Sequence, residues 1–440
     1  MTKEIAMANS LSHITLGNVS AHAATVGNLL FFVHIVALYV AYMQGMAVPV
    51  STAAVFVGIL CLALLSVTGL ADRAVLRSRT VLYVGLYMWI TVCAIMLINV
   101  WSAVDIAYSN SRMVIGWTLF SVSLFGYISF LYGSSSTSLE SLCKGIACLF
   151  AILLVAGVLM PDLWHGMAGI GLRYGGGINP NQLAFISVFG LFFSWFVKCR
   201  VGCWRYPTLA LACISVIICV MTASRTGILA VVLFLSALGS LRLLDYIRGM
   251  YGLKLVKVGL HVLILSSILS IVLYTVGQTP IGDIVYTMAE YRSVNHSTVQ
   301  TRYGVWQALL EAWRSNVALG GLGYWYSQVY LDGFGMSIAS SHSLYVRLLG
   351  EVGVIGLVLV VSLPVILMVG LAYIYVYGLR QQREMACLMI AILVALFAMQ
   401  VVEDRYFASM FALNTYLVNF WVAAGACFVF DPYCRHGWTY

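Results

Sequence analysis

Residues 207–241, PTLALACISVIICVMTASRTGILAVVLFLSALGSL, decide how this chain folds, because the run is apolar almost throughout. A single helix of this length would overshoot a bilayer, whose hydrocarbon core is spanned by about 20 residues. The run is interrupted only by the short stretch Ser224-Arg225-Thr226-Gly227. The sequence therefore predicts two membrane-spanning helices that turn back on each other at Arg225.

The composition of the whole chain is that of a membrane protein. Of its 440 residues, 62% are hydrophobic and only 9% are charged, whereas soluble domains carry about 25% charged residues. This deficit excludes a soluble enzyme, a disordered chain and a secreted disulfide scaffold. The net charge of +8 is spread thinly along the chain, so no nucleic-acid partner is expected.

Apolar segments of spanning length recur along the chain. They are residues 25–43, 47–70, 80–101, 113–132, 141–160, 181–197, 207–223, 226–241, 256–276, 352–378, 385–402 and 407–430. Nearly uncharged segments of this kind form helices, because backbone polar groups must be satisfied internally in hydrocarbon. The predicted fold class is an all-α, polytopic membrane helix bundle. One large loop at 277–351 divides it into residues 1–276, with nine spans, and residues 352–440, with three.

The distribution of basic residues predicts the orientation of the bundle. With the N-terminus inside, 15 of the 23 basic residues, including all five lysines, fall in one set of loops. That set belongs in the cytoplasm, so both termini are expected there and the 277–351 loop on the outer side. The first 24 residues do not resemble a cleavable signal peptide. The cysteines fall in spans or on the cytoplasmic side, so disulfides are not expected.

The large loop carries the pattern of a folded segment. Residues 297–316 place apolar side chains at the spacing of an amphipathic helix: Val305, Trp306, Leu309, Leu310 and Trp313. Gly320, Gly321 and Gly323 follow and permit tight backbone turns. Next come aromatic residues that suit either a membrane interface or stacking on sugar rings: Tyr324, Trp325, Tyr326 and Tyr330.

His342 is the leading candidate for a catalytic residue. Ser340 and Ser341 are good N-cap residues, which predicts His342 in the first turn of a helix that runs on into the tenth span. The positive end of a helix disfavours imidazolium, so a neutral histidine there could accept a proton. The alternative is a solvated loop histidine without a role.

Every basic residue predicted on the outer side is an arginine: Arg112, Arg173, Arg225, Arg292, Arg302, Arg314, Arg347 and Arg405. A guanidinium offers paired donors that match a phosphate or pyrophosphate. Arg225 in its hairpin and Arg302 on the loop helix favour ligand binding. For Arg112, Arg314 and Arg405, contact with lipid headgroups competes with that interpretation.

Two further outer segments are candidates for binding. Residues 172–182, LRYGGGINPNQ, combine glycines that admit a close ligand with Pro180, which suits the first turn of the sixth span; the alternative is a loop that ends in an asparagine cap. Glu403-Asp404-Arg405, between the last two spans, either forms a local ion pair or positions an acceptor group.

Several kinds of chemistry lack their residues in this sequence. No outer loop has metal-ligand spacing, no Asp-x-Asp pair occurs, and no phosphate loop supports ATP-driven transport. Charged residues that would mark a proton path within the spans are almost missing. Lys144 and His34 come nearest, and we expect His34 to be satisfied within the bundle.

Together, the outer motifs resemble the O-antigen ligase/polymerase family of bacterial membrane glycosyltransferases. His342-Ser343, nine residues and then Gly353-Val354-Ile355-Gly356 fit the family pattern His-[Asn/Ser/Gln]-x9-Gly-x-x-Gly. Ser224-Arg225-Thr226-Gly227 is similar to its Ser-Arg-x-Gly hairpin. The loop helix with Arg302 and the glycines after it are also similar. The loop with Arg173 departs from the family pattern at Ile178, where a glycine is usual before Asn179-Pro180-Asn181.

The resemblance implies both a fold and an activity. The fold is related to the multi-span, metal-independent glycosyltransferases of the C type. Such enzymes move a glycan from undecaprenyl pyrophosphate to an acceptor at the periplasmic face of the inner membrane, and the ligase acceptor is a sugar hydroxyl of lipid A–core. Besides this donor and acceptor, the expected partners are membrane lipids, and no cofactor is expected.

The resemblance also assigns roles to the candidate residues. His342 would be the general base of an inverting displacement, and Arg225 and Arg302 would stabilise the departing pyrophosphate. Phosphate or sugar would be held by a second group: Arg173, Asn179 and Asn181. Asp404 would support the acceptor side, and Arg405 beside it is a further candidate for substrate binding.

Other functions remain open at this point. A glycan polymerase or a protein O-oligosaccharyltransferase of the same family would carry the same motifs. A lipid-linked glycan transporter is an alternative from another class, and it predicts polar residues along a path within the spans.

Overall fold

Long apolar helices make up most of the chain described by the computed structural model. It describes residues 25–37, 39–41, 48–71, 75, 78–134, 136–159, 164–167, 171–174, 180–222, 224–248, 297–333, 343–400 and 413–432. The helices in these ranges are α1 (Thr25–Ala41), α2 (Val48–Ala71), α3 (Arg79–Ser102), α4 (Ile106–Gly133), α5 (Ser136–Leu159), α6 (Pro180–Val201), α7 (Tyr206–Met221), α8 (Arg225–Arg248), α9 (Ser297–Ser315), α10 (Ser327–Gly333), α11 (Leu344–Tyr377), α12 (Arg380–Met399) and α13 (Leu413–Phe430).

The helices confirm the predicted membrane bundle. Seven of those described are long and apolar enough to cross a membrane: α3, α4, α5, α6, α8, α11 and α12. Four shorter apolar helices, α1, part of α2, α7 and α13, accompany them. These eleven helices coincide with eleven of the twelve predicted segments; the ninth, 256–276, lies outside the described residues. The hairpin predicted at Arg225 is confirmed, because α7 ends at Met221 and α8 begins at Arg225.

A small β-hairpin lies between α5 and α6, in a loop for which no strand was predicted. Its strands are β1 (Trp164–Met167) and β2 (Gly171–Tyr174), which pair antiparallel with His165 opposite Arg173. A two-stranded hairpin is only marginally stable by itself. Its four-residue strands are also too short to show a clear alternation of apolar and polar side chains in the sequence. The hairpin adds a local exception to the all-α prediction.

The bundle core is built around α6, α12 and α13. The ring of Phe420 on α13 lies 5.5 Å from the rings of Phe31, Tyr127 and Phe189, measured between centroids. Close packing of this kind holds membrane helices together, because lipid supplies no hydrophobic drive between them. In contrast, α3 turns large apolar side chains outward, among them Leu82, Trp89 and Leu97, as expected for a surface in contact with lipid.

His34 is satisfied inside the bundle, as predicted. Its Nδ1 lies 2.8 Å from the carbonyl oxygen of Gly58 and its Nε2 2.9 Å from the hydroxyl of Tyr127. The carbonyl can only accept, so Nδ1 donates to it and Nε2 accepts the tyrosine hydroxyl. The side chain is fully buried. Both ring nitrogens therefore have a structural use.

Candidate functional site

A break divides α11 into two pieces at Gly353. This residue has φ 65° and ψ −165°, a backbone conformation that is essentially restricted to glycine. The piece before it, 344–352, follows the loop residues, and the piece after it, 354–377, is the apolar tenth span. The sequence predicted a helix running into this span but not the break.

The break and the glycine turn after α9 satisfy each other's backbone groups. Val354 and Ile355 donate their amides to the carbonyl oxygens of Val317 and Ala318, each over 3.1 Å. In return, Gly321 donates to Gly350 over 3.1 Å and Gly323 donates to Glu351 over 2.9 Å. Interrupted helices leave such groups without helical partners. We call the two segments, 317–323 and 350–355, the joint.

Close contact between two backbones explains why the joint is rich in glycine. A Cβ on Gly353 would overlap the carbonyl oxygen of Ala318 and the amide nitrogen of Gly320. A Cβ on Gly320, which has φ 73°, would lie 2.7 Å from the carbonyl carbon of Glu351. Gly353 of the histidine motif and Gly320 after the loop helix are therefore glycines for the same reason: each faces the backbone of the other segment.

Asn99 at the end of α3 fastens the joint to the bundle. Its Oδ1 accepts the amide of Tyr324 over 3.0 Å, while its Nδ2 donates to Oδ1 of Asn110 over 2.9 Å. Beside it, the amide of Val104 donates to the carbonyl of Leu322 over 3.1 Å. Because Asn99 is fully buried, these hydrogen bonds are shielded from water.

The loop helix α9 lies against the first piece of α11, 344–352. Its predicted amphipathic face is confirmed at Val305 and Leu309, which are fully buried. The other three predicted positions are half-buried: Trp306, Leu310 and Trp313. Gly350 of α11 comes close to it: a Cβ there would lie 3.0 Å from the carbonyl oxygen of Leu309. The helix that carries Arg302 is therefore packed directly on the helix that follows His342.

Two charged side chains are buried at the joint: Glu351 within it and Arg347 one helical turn before it. Oε1 of Glu351 accepts hydrogen bonds from the hydroxyl of Ser327 over 2.6 Å and from its amide over 3.3 Å. Nε of Arg347 lies 3.8 Å from Oε2 of Glu351. The Arg347 guanidinium also lies over the ring of Trp325, 4.7 Å from its centroid.

The aromatic stretch after α9 serves largely for packing. Tyr324 is only 2% exposed and belongs to the core, so the prediction of an interfacial or sugar-stacking role is wrong for this residue. Trp325 has φ 68°, which is an outlier for a bulky side chain. Tyr326 meets the ring of Tyr108 edge-on at 5.7 Å. An amphipathic pattern cannot distinguish rings that face lipid from rings that face the bundle.

The start of α11 differs from the prediction. Its N-cap is Ser343, whose Oγ accepts the amide of Val346 over 3.5 Å. The expectation that Ser340 or Ser341 caps this helix is therefore wrong, and His342 itself lies outside the described residues. Several neighbouring serines could cap equally well by type, and tertiary contact selects one. Leu344 also donates its amide to the carbonyl of Gln400 over 3.0 Å, which fastens this helix start to the end of α12.

The Ser-Arg-x-Gly hairpin has a clear local logic. Oγ of Ser224 accepts the amide of Gly227 over 3.4 Å, so the serine caps the first turn of α8. A Cβ on Gly227 would lie 2.7 Å from Cβ of Ala184 on α6, so glycine permits close helix packing. Arg225 is the first residue of α8.

For most of the predicted site residues the structure describes either the backbone alone or nothing. Arg302 lies in α9, Arg173 in β2 and Arg225 at the start of α8, but their side chains are outside the described part of the chain. Asn181 follows Pro180 in the first turn of α6 and is half-buried. The remaining predicted residues lie outside the described ranges: His342, Asn179, Asp404 and Arg405.

Arg347, Glu351 and Asn99 were missed as site residues by the sequence interpretation. A signal was present for the first two, because opposite charges four residues apart share one helix face and stand in a helix that is otherwise apolar. Asn99 offered no comparable signal, since an asparagine near the end of a span is ordinary.

A cleft of about 670 Å³ lies away from the joint, beside the starts of α5 and α7. It is lined by Glu140, Lys144, Trp204, Arg205, Tyr206, Pro207 and Leu209. The cleft contains none of the predicted site residues. The long helix α4 separates the two places, since Asn110 lies near its first turn and Arg200 reaches the carbonyl of Ser134 just after its end.

These observations first define a class, a polytopic membrane protein whose polar joint holds a loop helix on the bundle. Residues 209–361 match the model of a protein family described as O-antigen ligase. The match supports the assignment of this chain to the O-antigen ligase family and confirms the resemblance predicted from the motifs. Members of that family are ligases and polymerases of the glycosyltransferase kind. None of the curated proteins compared with the chain matches it.

The matched residues cover only part of the predicted site. Arg225, Arg302 and His342 fall within 209–361, together with the whole joint. The predicted residues outside the match are Arg173, Asn179, Asn181, Asp404 and Arg405.

Proposed function

We propose that this protein is an O-antigen ligase that transfers a glycan from undecaprenyl pyrophosphate to a sugar hydroxyl of lipid A–core. The reaction takes place at the periplasmic face of the inner membrane, without a metal ion and with inversion at the anomeric carbon. One observation carries the proposal: the family match spans both motif arginines, His342 and the joint that packs α9 against α11.

The proposed chemistry is a single displacement. The acceptor oxygen attacks the anomeric carbon, the bond from that carbon to the pyrophosphate oxygen breaks, and His342 takes the proton of the hydroxyl. Arg225 and Arg302 stabilise the negative charge that grows on the pyrophosphate, since charge-assisted donors in a dry site substitute for a metal ion.

The remaining predicted residues bind the two substrates in this proposal. Arg173, Asn179 and Asn181 hold phosphate or sugar of the donor, and Asp404 with Arg405 supports the acceptor. The hydrogen bond from Leu344 to Gln400 supports an acceptor site close to His342. It ties the start of α11, two residues after His342, to the end of α12, four residues before Asp404.

The test of the base uses purified protein in lipid nanodiscs with glycan donor and lipid A–core. We expect His342→Ala to lower kcat by about 10²–10⁴-fold, the usual contribution of a general base. His296→Ala, in the same predicted loop, is the matched control and should leave kcat unchanged. Undiminished transfer by His342→Ala would refute the assignment.

The arginine proposal is tested on one helix. Arg302→Ala should reduce transfer strongly, because the leaving group loses a charged donor, whereas Arg314→Ala, an exposed position in the last turn of α9, should not. EDTA should leave the wild-type rate intact. Inhibition by EDTA that Mg²⁺ reverses would contradict the proposal that arginines, and not a metal ion, stabilise the departing pyrophosphate.

The acceptor decides between the related functions. Donor is offered with lipid A–core, with a pilin-like protein, or alone, and the products are resolved by gel and mass spectrometry. Modification of the pilin-like protein only would establish a protein O-oligosaccharyltransferase, and chain extension with donor alone would establish a polymerase. For a glycan transporter, His342→Ala should leave movement of the lipid-linked glycan intact.

A further inference from the structure

Arg347 and Glu351 form a buried ion pair whose presence stability does not explain. They lie one helical turn apart on the first piece of α11, and their side chains are 5% and 0% exposed. Removing two charges from water is expensive, and replacing a buried pair with apolar residues of similar volume is often neutral or stabilising. The presence of two buried charges here therefore calls for an explanation other than stability.

The contacts of the pair converge on one short segment, residues 323–327. The carboxylate of Glu351 accepts both hydrogen bonds from Ser327, and its backbone carbonyl accepts the amide of Gly323. The guanidinium of Arg347 covers Trp325, whose φ of 68° places it in the left-handed region. One residue pair on α11 thus holds the segment that connects the glycine turn to α10.

These contacts are directional, and apolar packing is not. Hydrogen bonds and a planar guanidinium on a ring fix both distance and angle, while an apolar pair would bury the same surface in more than one register. Fixing a single register is the best-attested use of buried polar groups.

We infer that Arg347 and Glu351 are positioning residues that set the register of the glycine turn, and with it α9, against the start of α11. The catalytic consequence rests on the proposed function. The pair fixes the position of α9, which carries Arg302, relative to the start of α11, which follows His342 by two residues. The register itself does not depend on that function.

The decisive variant removes both charges together, Arg347→Met with Glu351→Leu. We expect its thermal unfolding midpoint in nanodiscs to fall much less than that of Glu351→Ala, because no uncompensated charge remains and only the Ser327 donors lose their acceptor. We expect its kcat to fall on the order of 10²-fold, the loss associated with a misplacement of about 1 Å, while KM for the donor changes far less. Glu351→Gln, with Arg347 intact, keeps an oxygen acceptor for Ser327, so its kcat should exceed that of the double variant even though Arg347 loses its counter-charge.

The matched control is the ion pair between Arg383 on α12 and Asp245 on α8, which spans 3.4 Å. The double variant Arg383→Met with Asp245→Leu removes the same kinds of charge away from the joint. We expect it to leave kcat and KM unchanged.

A second readout reports on register without activity. Hydrogen exchange should accelerate at the amides of Gly321, Gly323, Val354 and Ile355 in the Arg347→Met/Glu351→Leu variant, because these four donate across the joint. The control variant should retain wild-type exchange at the same amides.

The outcomes separate the inference from the function on which it partly rests. Unchanged exchange with full kcat would overturn the inference, and so would a kcat that falls only in step with the unfolding midpoint. Faster exchange at the joint in a protein whose wild type transfers no glycan would support the register and refute the ligase.

Discussion

Ion pairs stand at both ends of the bundle, but they differ in burial. At the joint, the Arg347 and Glu351 side chains are 5% and 0% exposed. At the other end, Glu140, whose side chain is 14% exposed, pairs with Lys144 and Arg205, which are 58% and 52% exposed. The exposed charges are solvated by water and need no fixed geometry. The buried charges require specific partners, and those partners build the joint.

Removing one partner of the buried pair is the strongest test of this difference. Glu351→Ala should lower the free energy of unfolding by about 3–5 kcal/mol, because it leaves Arg347 as an uncompensated buried charge. Equilibrium unfolding in mixed micelles measures the change. A loss below about 1 kcal/mol would mean that the buried pair behaves like the exposed ones.

The glycine at the break should be nearly as sensitive. Gly353→Ala should cost about 3 kcal/mol, the upper end for a conformation that only glycine adopts readily, since its Cβ also meets the Ala318 carbonyl. Gly239→Ala is the matched control: its Cβ meets nothing within 4 Å and alanine favours helix. The same unfolding assay compares them, and equal stability of both variants would contradict the contact at the joint.

The link from joint to bundle should come next. Asn99→Ala leaves the buried amide of Tyr324 without its acceptor, for a cost of about 1–3 kcal/mol. Gln307→Ala removes a hydrogen bond to Glu311 on the exposed side of α9 and should stay within about 0.5 kcal/mol of wild type. If the two variants unfold alike, Asn99 does not fasten the joint.

The smallest effect is expected at the far end of the bundle. Arg383→Ala removes a partly exposed partner of Asp245, whose side chain is 28% exposed, and should cost about 0–1 kcal/mol. High salt should shrink even this difference. A loss comparable to that of Glu351→Ala would remove the contrast between the two ends.

Particular residues in the sequence predicted several local features of the fold. The Ser224–Gly227 interruption predicted a hairpin, and the spacing of Val305 and Leu309 predicted a helix with a buried face; both are confirmed. The N-cap of α11 was misplaced because Ser340, Ser341 and Ser343 have the same capping chemistry. The role of Tyr324 was misjudged because an aromatic residue suits lipid, sugar and core equally well.

The sequence by itself determined that the chain is a membrane bundle with a helix in its large loop. Hydropathy, charge bias and motif spacing are local properties, and each can be counted along the chain. Only the tertiary structure decided that Gly353 breaks α11, that the glycine turn fills the break, and that Arg347 and Glu351 are buried together beside Trp325. These features depend on backbone and side-chain groups from segments about 30 residues apart in sequence, and their energies exist only once those segments meet.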